Sequence, residues 1–250
     1  MRINLPHPIE FAKIWEQVTG VALNKSVRGI VTDSREVRPG DLYIAISGDR
    51  VDGHTFIKDV FEKGAVCALV NSEIENADEQ LIKVNNSVST IGKVSKAWRN
   101  QFDIPVMGIT GSNGKTSTKE LLKHMLSAQF NIHATEGNFN TSIGLPLTLL
   151  RLTKENTISL LEMGANQPGD IAQLCEIAQP THGVITNIAP AHLEGFGTIE
   201  AVAKTKGELF AFTDSDSVWE KDAIERVVAI FENEPDVGAI SGHCNAKNAN

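Results

Sequence analysis

Residues 108–116 read Gly108-Ile-Thr-Gly-Ser-Asn-Gly-Lys-Thr116, a small glycine-rich turn between an apolar stretch and an amphipathic one. Glycines let successive backbone N–H groups curl around an anion, and the N-terminus of the following helix adds partial positive charge. Lys115 would then reach the terminal phosphates of a nucleotide, and the Thr116 hydroxyl would bind Mg²⁺. Five residues, not the more common four, separate Gly108 from Gly114, so the match depends on the Gly-x-x-Gly-Lys-Thr part. The alternative is an ordinary strand–helix turn that happens to contain Gly-Lys-Thr.

The segments around this turn indicate the fold class. Within residues 106–210, an apolar stretch is followed by a helical stretch three times, which predicts a parallel sheet with helices on its faces. Residues 1–84 alternate shorter strands and helices, and residues 85–105 contain a helix expected to connect the two parts. The sequence therefore predicts an α/β protein. A small mixed α/β N-terminal domain is followed by a P-loop-type parallel-sheet ATP-binding domain that is incomplete.

Composition and charge exclude several classes of protein. The 250 residues are 41% hydrophobic and 22% charged, as in ordinary globular proteins. The net charge of −8 argues against a non-specific nucleic-acid binder. The chain has no apolar run long enough to span a membrane, and its start lacks the apolar core of a signal peptide. Cys67, Cys175 and Cys244 form no CxxC pair and are expected to be reduced thiols of a cytoplasmic protein.

Five segments in order carry a resemblance to a known family. They are residues 32–56 (Thr-Asp-Ser-Arg, then Pro-Gly-Asp to His-Thr-Phe), residues 108–116, which we call the phosphate loop, Glu136 to Pro146, Leu161 to Ala165, and Thr186 to Phe196. Over residues 1–210 the chain resembles the Mur ligases, the ATP-dependent amide ligases of peptidoglycan synthesis. The segments Asn-Phe-Asn-Thr and His-Leu-Glu-Gly-Phe resemble most the branch of the family that uses D-alanyl-D-alanine. The resemblance implies ATP and Mg²⁺ as cofactors, and UDP-N-acetylmuramoyl-tripeptide and D-alanyl-D-alanine as substrates.

The resemblance also implies a set of site residues in the second half of the chain. ATP would be bound by Gly111, Ser112, Asn113, Gly114, Lys115, Thr116, Ser117 and Asn187. The metal ligands would be Thr116, Glu162, His192 and Lys206 as a carbamate, and the catalytic residues Lys115, His192 and Lys206. Glu162 ends an apolar strand, where parallel sheets bind ligands, and a carboxylate there suits Mg²⁺. The alternative for Glu162 is a solvated glutamate at a strand end.

Lys206 lies fourteen residues after His192. The family carries a carbamylated lysine at that spacing, and its new carboxylate binds Mg²⁺. Ile199, Val202 and Lys206 share one face of a predicted helix, so the lysine would point inward, where a bare ammonium is costly. A buried lysine also has an adjustable pKa. The alternatives are a lysine that reaches out to solvent and, for His192, a histidine that is structural or merely exposed.

The precursor side of the site is also implied by the resemblance. Its residues would be Ser34, Arg35, His54, Asn138, Asn140 and Thr141. Ser34 and Arg35 would contact the uridine diphosphate, since the planar guanidinium donates two hydrogen bonds to a phosphate at once. The asparagines and Thr141 offer neutral donors for the sugar and peptide. The alternatives are an exposed Asp-Ser-Arg turn and asparagine-rich turns without a binding role.

Residues 211–250 depart from the ligase pattern. Asp214 and Asp216 form an Asp-x-Asp pair that resembles the metal and nucleotide-sugar site of processive family 2 glycosyltransferases. We expect a fusion or misassembled junction at residues 204–212 and an inert aspartate pair; the alternative is divergence of the ligase middle domain. Three functions follow. They are an ATP-dependent ligase that is inactive or impaired in this chain, a nucleotide- or precursor-binding fragment without turnover, and a glycosyltransferase fragment supported by the tail alone.

Overall fold

A computed structural model describes residues 1–48, 51–74 and 80–213. It divides into two compact units. Of the described residues, the first contains residues 1–102 and 146–153, and the second contains residues 103–145 and 154–213. Among the described residues, no helix is long and apolar enough to cross a membrane.

The first unit is a five-stranded sheet in the order β1-β2-β3-β4-β5, with helices on it. The strand β1 runs antiparallel to β2, whereas the other neighbours are parallel, as expected for a mixed α/β domain. Short apolar strands such as β4 are buried along their whole length, which is typical of parallel sheets. The elements are β1 (Arg2–Asn4), α1 (Pro8–Thr19), β2 (Gly29–Val31), β3 (Asp41–Ile44), a 3₁₀ turn (Gly53–Phe56), α2 (Ile57–Glu62), β4 (Cys67–Val70), β5 (Leu81–Lys83) and α3 (Ser87–Arg99).

The helix α3 was expected to connect the two parts of the chain, but it packs inside the first unit. Its apolar face buries Ile91, Val94 and Trp98. The Trp98 ring stacks on His7 with 6.2 Å between centroids, and its indole N–H donates to the carbonyl of Leu152 at 3.3 Å. An amphipathic helix with so wide an apolar face needs a partner surface. In the structure α3 finds that surface within the first unit, whose first segment ends at residue 102.

A buried ion pair ties the start of the chain to β3. Asp41 is fully buried and accepts two hydrogen bonds from the Arg2 guanidinium, at 2.8 and 2.9 Å. It also accepts the backbone N–H of Arg38 at 2.9 Å. Gly29 lies beside this pair, and a Cβ there would come within 2.6 Å of the Asp41 carboxylate. A residue with no side chain is therefore required at Gly29.

The second unit has a four-stranded parallel sheet in the order β7-β8-β6-β9. In the pairing of β6 with β8, Ile109 lies opposite Glu162, so the phosphate loop and Glu162 leave the sheet at the same edge. The predicted α/β class with a parallel second sheet is confirmed. The elements are β6 (Val106–Thr110), α4 (Lys115–Leu126), β7 (Ile132–Ala134), α5 (Gly144–Leu149), β8 (Ile158–Glu162), α6 (Asp170–Ala178), β9 (His182–Ile185), α7 (Leu193–Phe196) and α8 (Ile199–Thr213).

Candidate active site

The phosphate loop is a tight turn between β6 and α4 that requires glycine at two positions. Gly111 has φ +146° and Gly114 has φ +79°, both in the region that side-chain-bearing residues rarely adopt. A Cβ on Gly111 would overlap the hydroxyl of Thr186, which follows β9. Gly114 is the N-cap of α4, so the chain enters the helix directly from the turn.

The loop is held to the segment that follows β9. The Ser112 N–H donates to the Asn187 carbonyl at 3.0 Å, and the Asn113 N–H donates to the Asn187 side-chain oxygen at 2.8 Å. The Ser112 hydroxyl donates to the Ala189 carbonyl at 2.8 Å. Asn187 thus shapes the loop through both its backbone and its side chain.

Backbone donors remain for an anion at the start of α4. The first N–H groups of a helix, here those of Lys115, Thr116 and Ser117, have no acceptor inside the helix. The helix dipole adds partial positive charge at the same place. Asn113, Gly114, Thr116 and Ser117 are exposed, so the mouth of the loop is open to a ligand. The arrangement is that of a phosphate-binding helix N-terminus.

Lys115 closes over the loop. Its ammonium donates to the Gly111 carbonyl at 2.7 Å. Burial lowers the pKa of Lys115, and the negative charge of Glu162 opposes that shift. The ammonium therefore lies at the loop, where it can reach a phosphate that enters it.

Glu162 is a buried carboxylate and not a solvated strand end. The residue is 3% exposed, and one carboxylate oxygen accepts the Thr116 hydroxyl at 2.9 Å. The other oxygen accepts the side-chain amide of Asn140 at 2.8 Å. The backbone N–H of Glu162 donates to the Thr135 hydroxyl at 3.0 Å. The carboxylate is thus held rigidly beside the first turn of α4.

The oxygens of Thr116 and Glu162 fit a magnesium ion. Mg²⁺ prefers oxygen ligands, and it commonly binds through one or two carboxylates together with substrate phosphates and water. Within the part of the chain that the structure describes, no cluster of three or more His, Cys, Asp or Glu side chains forms a closed metal cage. The pair therefore suits a metal that arrives with a nucleotide better than a metal bound by protein alone.

Lys206 lies on the inner face of α8 and is 2% exposed, so it does not reach out to solvent. Burial, and then the positive charge of Lys115, lower the pKa of Lys206 to about 8. A larger share of its amine is therefore neutral near pH 7 than in an ordinary lysine. Conversion to a carbamate would replace a positive charge near Lys115 with a negative one.

His192 has an exposed side chain. It precedes the short helix α7 with φ +51°, and its side chain is 53% exposed. The ring Nδ1 is 3.8 Å from a carboxylate oxygen of Glu194. In this structure His192 thus matches the exposed-histidine alternative, and its metal role stays a prediction.

The predicted substrate residues of the second unit have different surroundings. Asn138 is exposed on the loop after β7. The Asn140 side chain instead contacts Glu162, which places it at the metal side of the site. The Thr141 hydroxyl accepts the Gly144 N–H at 3.3 Å and so helps to begin α5. Asn138 is the member of this group whose side chain lies open.

In the first unit, Arg35 is available to a ligand and Ser34 is not. The Arg35 side chain is 86% exposed and pairs with Asp33 at 2.6 Å. Hydrogen bonds from Arg35 hold the pKa of the Asp33 carboxyl well below its usual range. Ser34 is 8% exposed, and its carbonyl accepts the Lys63 ammonium at 2.9 Å. A phosphate would therefore compete with Asp33 for the guanidinium.

In this conformation His54 has a structural role, because both of its ring nitrogens bond to other residues of the first unit. Its side chain is 6% exposed, and its Nδ1 lies 2.6 Å from the Asp52 carboxylate. Its Nε2 accepts the Asn71 N–H at 3.2 Å, so the proton of the neutral ring lies on Nδ1. Both ring nitrogens are used inside the fold. The binding role predicted for His54 stays a prediction that this geometry does not favour.

Two features of the site were not predicted from the sequence. One is the contact of Asn140 with Glu162, which joins segments far apart in the chain. The other is Lys119, a lysine that is 1% exposed on the inner face of α4. Its spacing of four residues after Lys115 places both on one helix face, which was the available signal.

Two sequence families match the chain. The Mur ligase middle domain matches residues 109–248, and the family described as Mur ligase family, catalytic domain, matches residues 26–99. The first match crosses residues 211–248, where the glycosyltransferase-like tail was predicted. Asp214 and Asp216 lie outside the described residues, so the junction and the tail stay predictions.

Individual relatives agree with these matches. The UDP-N-acetylmuramoyl-tripeptide–D-alanyl-D-alanine ligase of Bacillus subtilis (strain 168) is 36% identical over 212 residues, covering 82% of this chain and 46% of that protein. The Escherichia coli (strain K12) ligase of the same name is 41% identical over 182 residues, covering 73% and 40%. The chain thus spans about half the length of these curated relatives or slightly less.

Solved structures show the same likeness. A crystal structure of MurF from Acinetobacter baumannii superposes with a TM-score of 0.78 at 31% identity, covering 88% of this chain and 51% of that one. MurF ligase from Thermotoga maritima, solved in complex with ADP, gives 0.71 at 38% identity, covering 80% and 48%.

Proposed function

Because the chain belongs to the Mur ligase family, we propose that it serves ATP-dependent amide bond formation, adding D-alanyl-D-alanine to UDP-N-acetylmuramoyl-tripeptide. The observation that carries the proposal is the 2.9 Å contact between the Thr116 hydroxyl and the Glu162 carboxylate. It joins the first turn of a phosphate-binding helix to a buried carboxylate at the ligand-binding edge of a parallel sheet.

The first chemical step would be attack of the precursor's carboxylate on the γ-phosphate of ATP. The new bond joins carboxylate oxygen to phosphorus, the bond to the β–γ bridging oxygen breaks, and ADP leaves. Phosphoryl transfer depends mainly on positioning and charge neutralisation. The helix N–H groups at residues 115–117 would hold the phosphates, and the Lys115 ammonium would move from the Gly111 carbonyl to them.

Thr116 and Glu162 would hold Mg²⁺, which when bound draws charge from the phosphate oxygens. Asn140 fixes the rotamer of the Glu162 carboxylate by donating to its second oxygen. The site therefore presents its oxygens in a fixed geometry before the nucleotide arrives, which reduces the cost of ordering it.

The second step would be attack of the D-alanyl-D-alanine amine on the acyl phosphate. The amide bond forms, the bond from carbon to the phosphate oxygen breaks, and phosphate and a proton leave. Lys206 would support the site as a carbamate. Its side chain is buried near the positive charge of Lys115, and that charge favours a negative group at the position of the Lys206 amine.

In the first unit, Arg35 would bind the diphosphate of the precursor. In the second unit, Asn138 and Thr141 would be neutral donors to a sugar or peptide group. The exposure of Arg35 and Asn138 supports these two assignments.

We place the reaction in the cytoplasm. Cys67 and Cys175 are buried free thiols, which suits a reducing compartment.

The test is nucleotide binding to the chain and to a Lys115→Ala variant, measured by titration calorimetry with ATP and Mg²⁺. Loss of a charged hydrogen bond to phosphate should weaken affinity by about 10- to 100-fold. Lys123→Ala, on the same helix two turns later, is the matched control and should bind normally. Equal affinity in the chain and in Lys115→Ala would contradict the proposed nucleotide site.

Ligation itself is tested by incubating the chain with UDP-N-acetylmuramoyl-tripeptide, D-alanyl-D-alanine, ATP and Mg²⁺, and separating the products. A product heavier by one D-alanyl-D-alanine unit that requires ATP supports the ligase. Nucleotide and precursor binding without product would support a role in binding alone.

A further inference from the structure

The innermost side chain of α4 is a lysine. Lys119 is 1% exposed and is the buried member of this helix, where an amphipathic helix normally places an apolar residue. An isolated ammonium is expensive to bury, and lysine is almost never fully buried unless it is paired. The partners of Lys119 should therefore explain its presence.

Lys119 connects α4 to the end of β7. Its ammonium donates to the Thr135 carbonyl at 2.6 Å and lies 3.0 Å from the Glu120 carboxylate. Thr135 is itself buried and comes directly after β7, at the start of residues 135–141, which we call the 135–141 loop. Lys119 thus fixes the start of the 135–141 loop against α4, the helix that begins at the phosphate loop.

Both ends of the 135–141 loop also contact Glu162. The Thr135 hydroxyl accepts the Glu162 N–H at 3.0 Å, and the Asn140 amide donates to the Glu162 carboxylate at 2.8 Å. The same carboxylate accepts the Thr116 hydroxyl at 2.9 Å. Hence Thr135 receives one bond from α4 and one from the residue that faces the nucleotide.

Fold stability alone does not explain a lysine at this position. The Glu120 side chain is 56% exposed, so its pairing with Lys119 contributes little. Even fully buried ion pairs can often be replaced with well-packed apolar side chains at no loss of stability. Methionine would follow nearly the same path along the inner face of α4 without the cost of burying a charge. What methionine cannot supply is a donor to the Thr135 carbonyl.

We propose that Lys119 is a positioning residue that couples the phosphate loop to the 135–141 loop. The proposal rests on the proposed function, in which the phosphate loop holds the nucleotide and the 135–141 loop meets the precursor. When a nucleotide engages Thr116 and Glu162, the loop is held at both ends, at Thr135 by Lys119 and at Asn140 by Glu162. Without the lysine, the start of the loop is released from α4.

The experiment is hydrogen–deuterium exchange of the chain with and without ADP and Mg²⁺, compared between the unmodified protein and Lys119→Met. In the unmodified protein, ADP and Mg²⁺ should slow exchange at residues 111–118 and at residues 135–140. In Lys119→Met, the slowing at 111–118 should persist. The slowing at 135–140 should fall from about tenfold to less than about twofold, within the usual range of coupling between sites.

Two further variants keep the test decisive. Lys123→Met, one turn further along α4, is the matched control and should behave as the unmodified protein. Lys119→Leu also lacks a donor to the Thr135 carbonyl and is shorter than methionine, and it should lose the slowing at 135–140 in the same way. It serves if Lys119→Met does not fold.

The outcomes separate this proposal from the function on which it rests. Unchanged ADP-dependent slowing at 135–140 in Lys119→Met, or in Lys119→Leu if the first variant is unfolded, overturns the positioning role and leaves the nucleotide site standing. Absence of slowing at 111–118 in the unmodified protein overturns the nucleotide site, and the positioning role with it.

Discussion

Carbamylation of Lys206 is a consequence of its burial that can be worked out numerically. Burial and the charge of Lys115 lower the pKa of Lys206 to about 8, from the 10.5 of an ordinary lysine. At about pH 7.4 the neutral fraction of the amine is then about one fifth, against about one in a thousand for an unshifted lysine. Only the neutral amine adds CO₂, forming the carbamate and releasing a proton. The structure thus raises the reactive fraction by about 200-fold.

The assay is ¹³C NMR of the chain in ¹³C-labelled bicarbonate, in which a carbamate carbon gives a separate signal. At a fixed concentration of dissolved CO₂, the signal should grow as the pH rises from about 6 to about 8, since the neutral fraction of the amine rises from about one in a hundred to about one half over that range. Lys206→Met should remove the signal. Lys204→Met is the matched control on the same helix, because Lys204 is exposed, and it should keep the signal.

One result would refute this reasoning. If the signal is the same in Lys206→Met and in the unmodified chain, the buried amine is not the group that reacts. A signal specific to Lys206 that appears only above about pH 9.5 would show that burial does not lower its pKa as the structure indicates.

Two further predictions concern the fold and the loop. Asp41→Ala leaves the Arg2 guanidinium without its ion-pair partner and should lower the free energy of unfolding by about 3–5 kcal/mol in urea titrations. Asp59→Ala, in a half-exposed ion pair with Lys63, is the control and should lower it by less than about 1 kcal/mol. Similar losses in the two variants would contradict the value expected for Asp41→Ala. Gly111→Ala overlaps Thr186 and should weaken ATP binding at least about tenfold. Gly20→Ala, also at a positive φ but with nothing within 4 Å, is the control and should not weaken it. Equal binding constants for Gly111→Ala and the unmodified chain would show that the loop tolerates a Cβ.

Local features of the site followed from the sequence. The glycine spacing at residues 111–114 predicts a turn that opens into a helix, because only glycine adopts these φ values freely. The parallel sheet follows from alternating apolar and helical stretches, and the carboxyl ends of parallel strands share one edge. That rule predicts that the phosphate loop and Glu162 lie at one edge of the sheet, and the pairing of β6 with β8 places them there. The burial of Lys206 was likewise predicted from its helix face, and it is observed.

Other features were decided by tertiary structure alone. His54 and Asn140 have the residue types of ligand-binding groups. In the structure, however, the His54 Nε2 accepts the Asn71 N–H and the Asn140 amide donates to Glu162, and both partners lie in other segments. The helix α3 reads as a connector, but its apolar face packs within the first unit. Lys119 reads as an ordinary helix-surface lysine, yet it is buried against Thr135.

The division has one physical cause. Backbone conformation at a turn and the apolar period of a helix depend on residues within a few positions of one another, so the sequence by itself determines them. Whether a polar side chain meets a ligand or another part of the chain depends on which distant segment packs against it. The contacts of Asn140 with Glu162 and of Lys119 with Thr135 join residues 22 and 16 positions apart. No local pattern encodes such pairs, because they exist only after the strands and helices have been brought together.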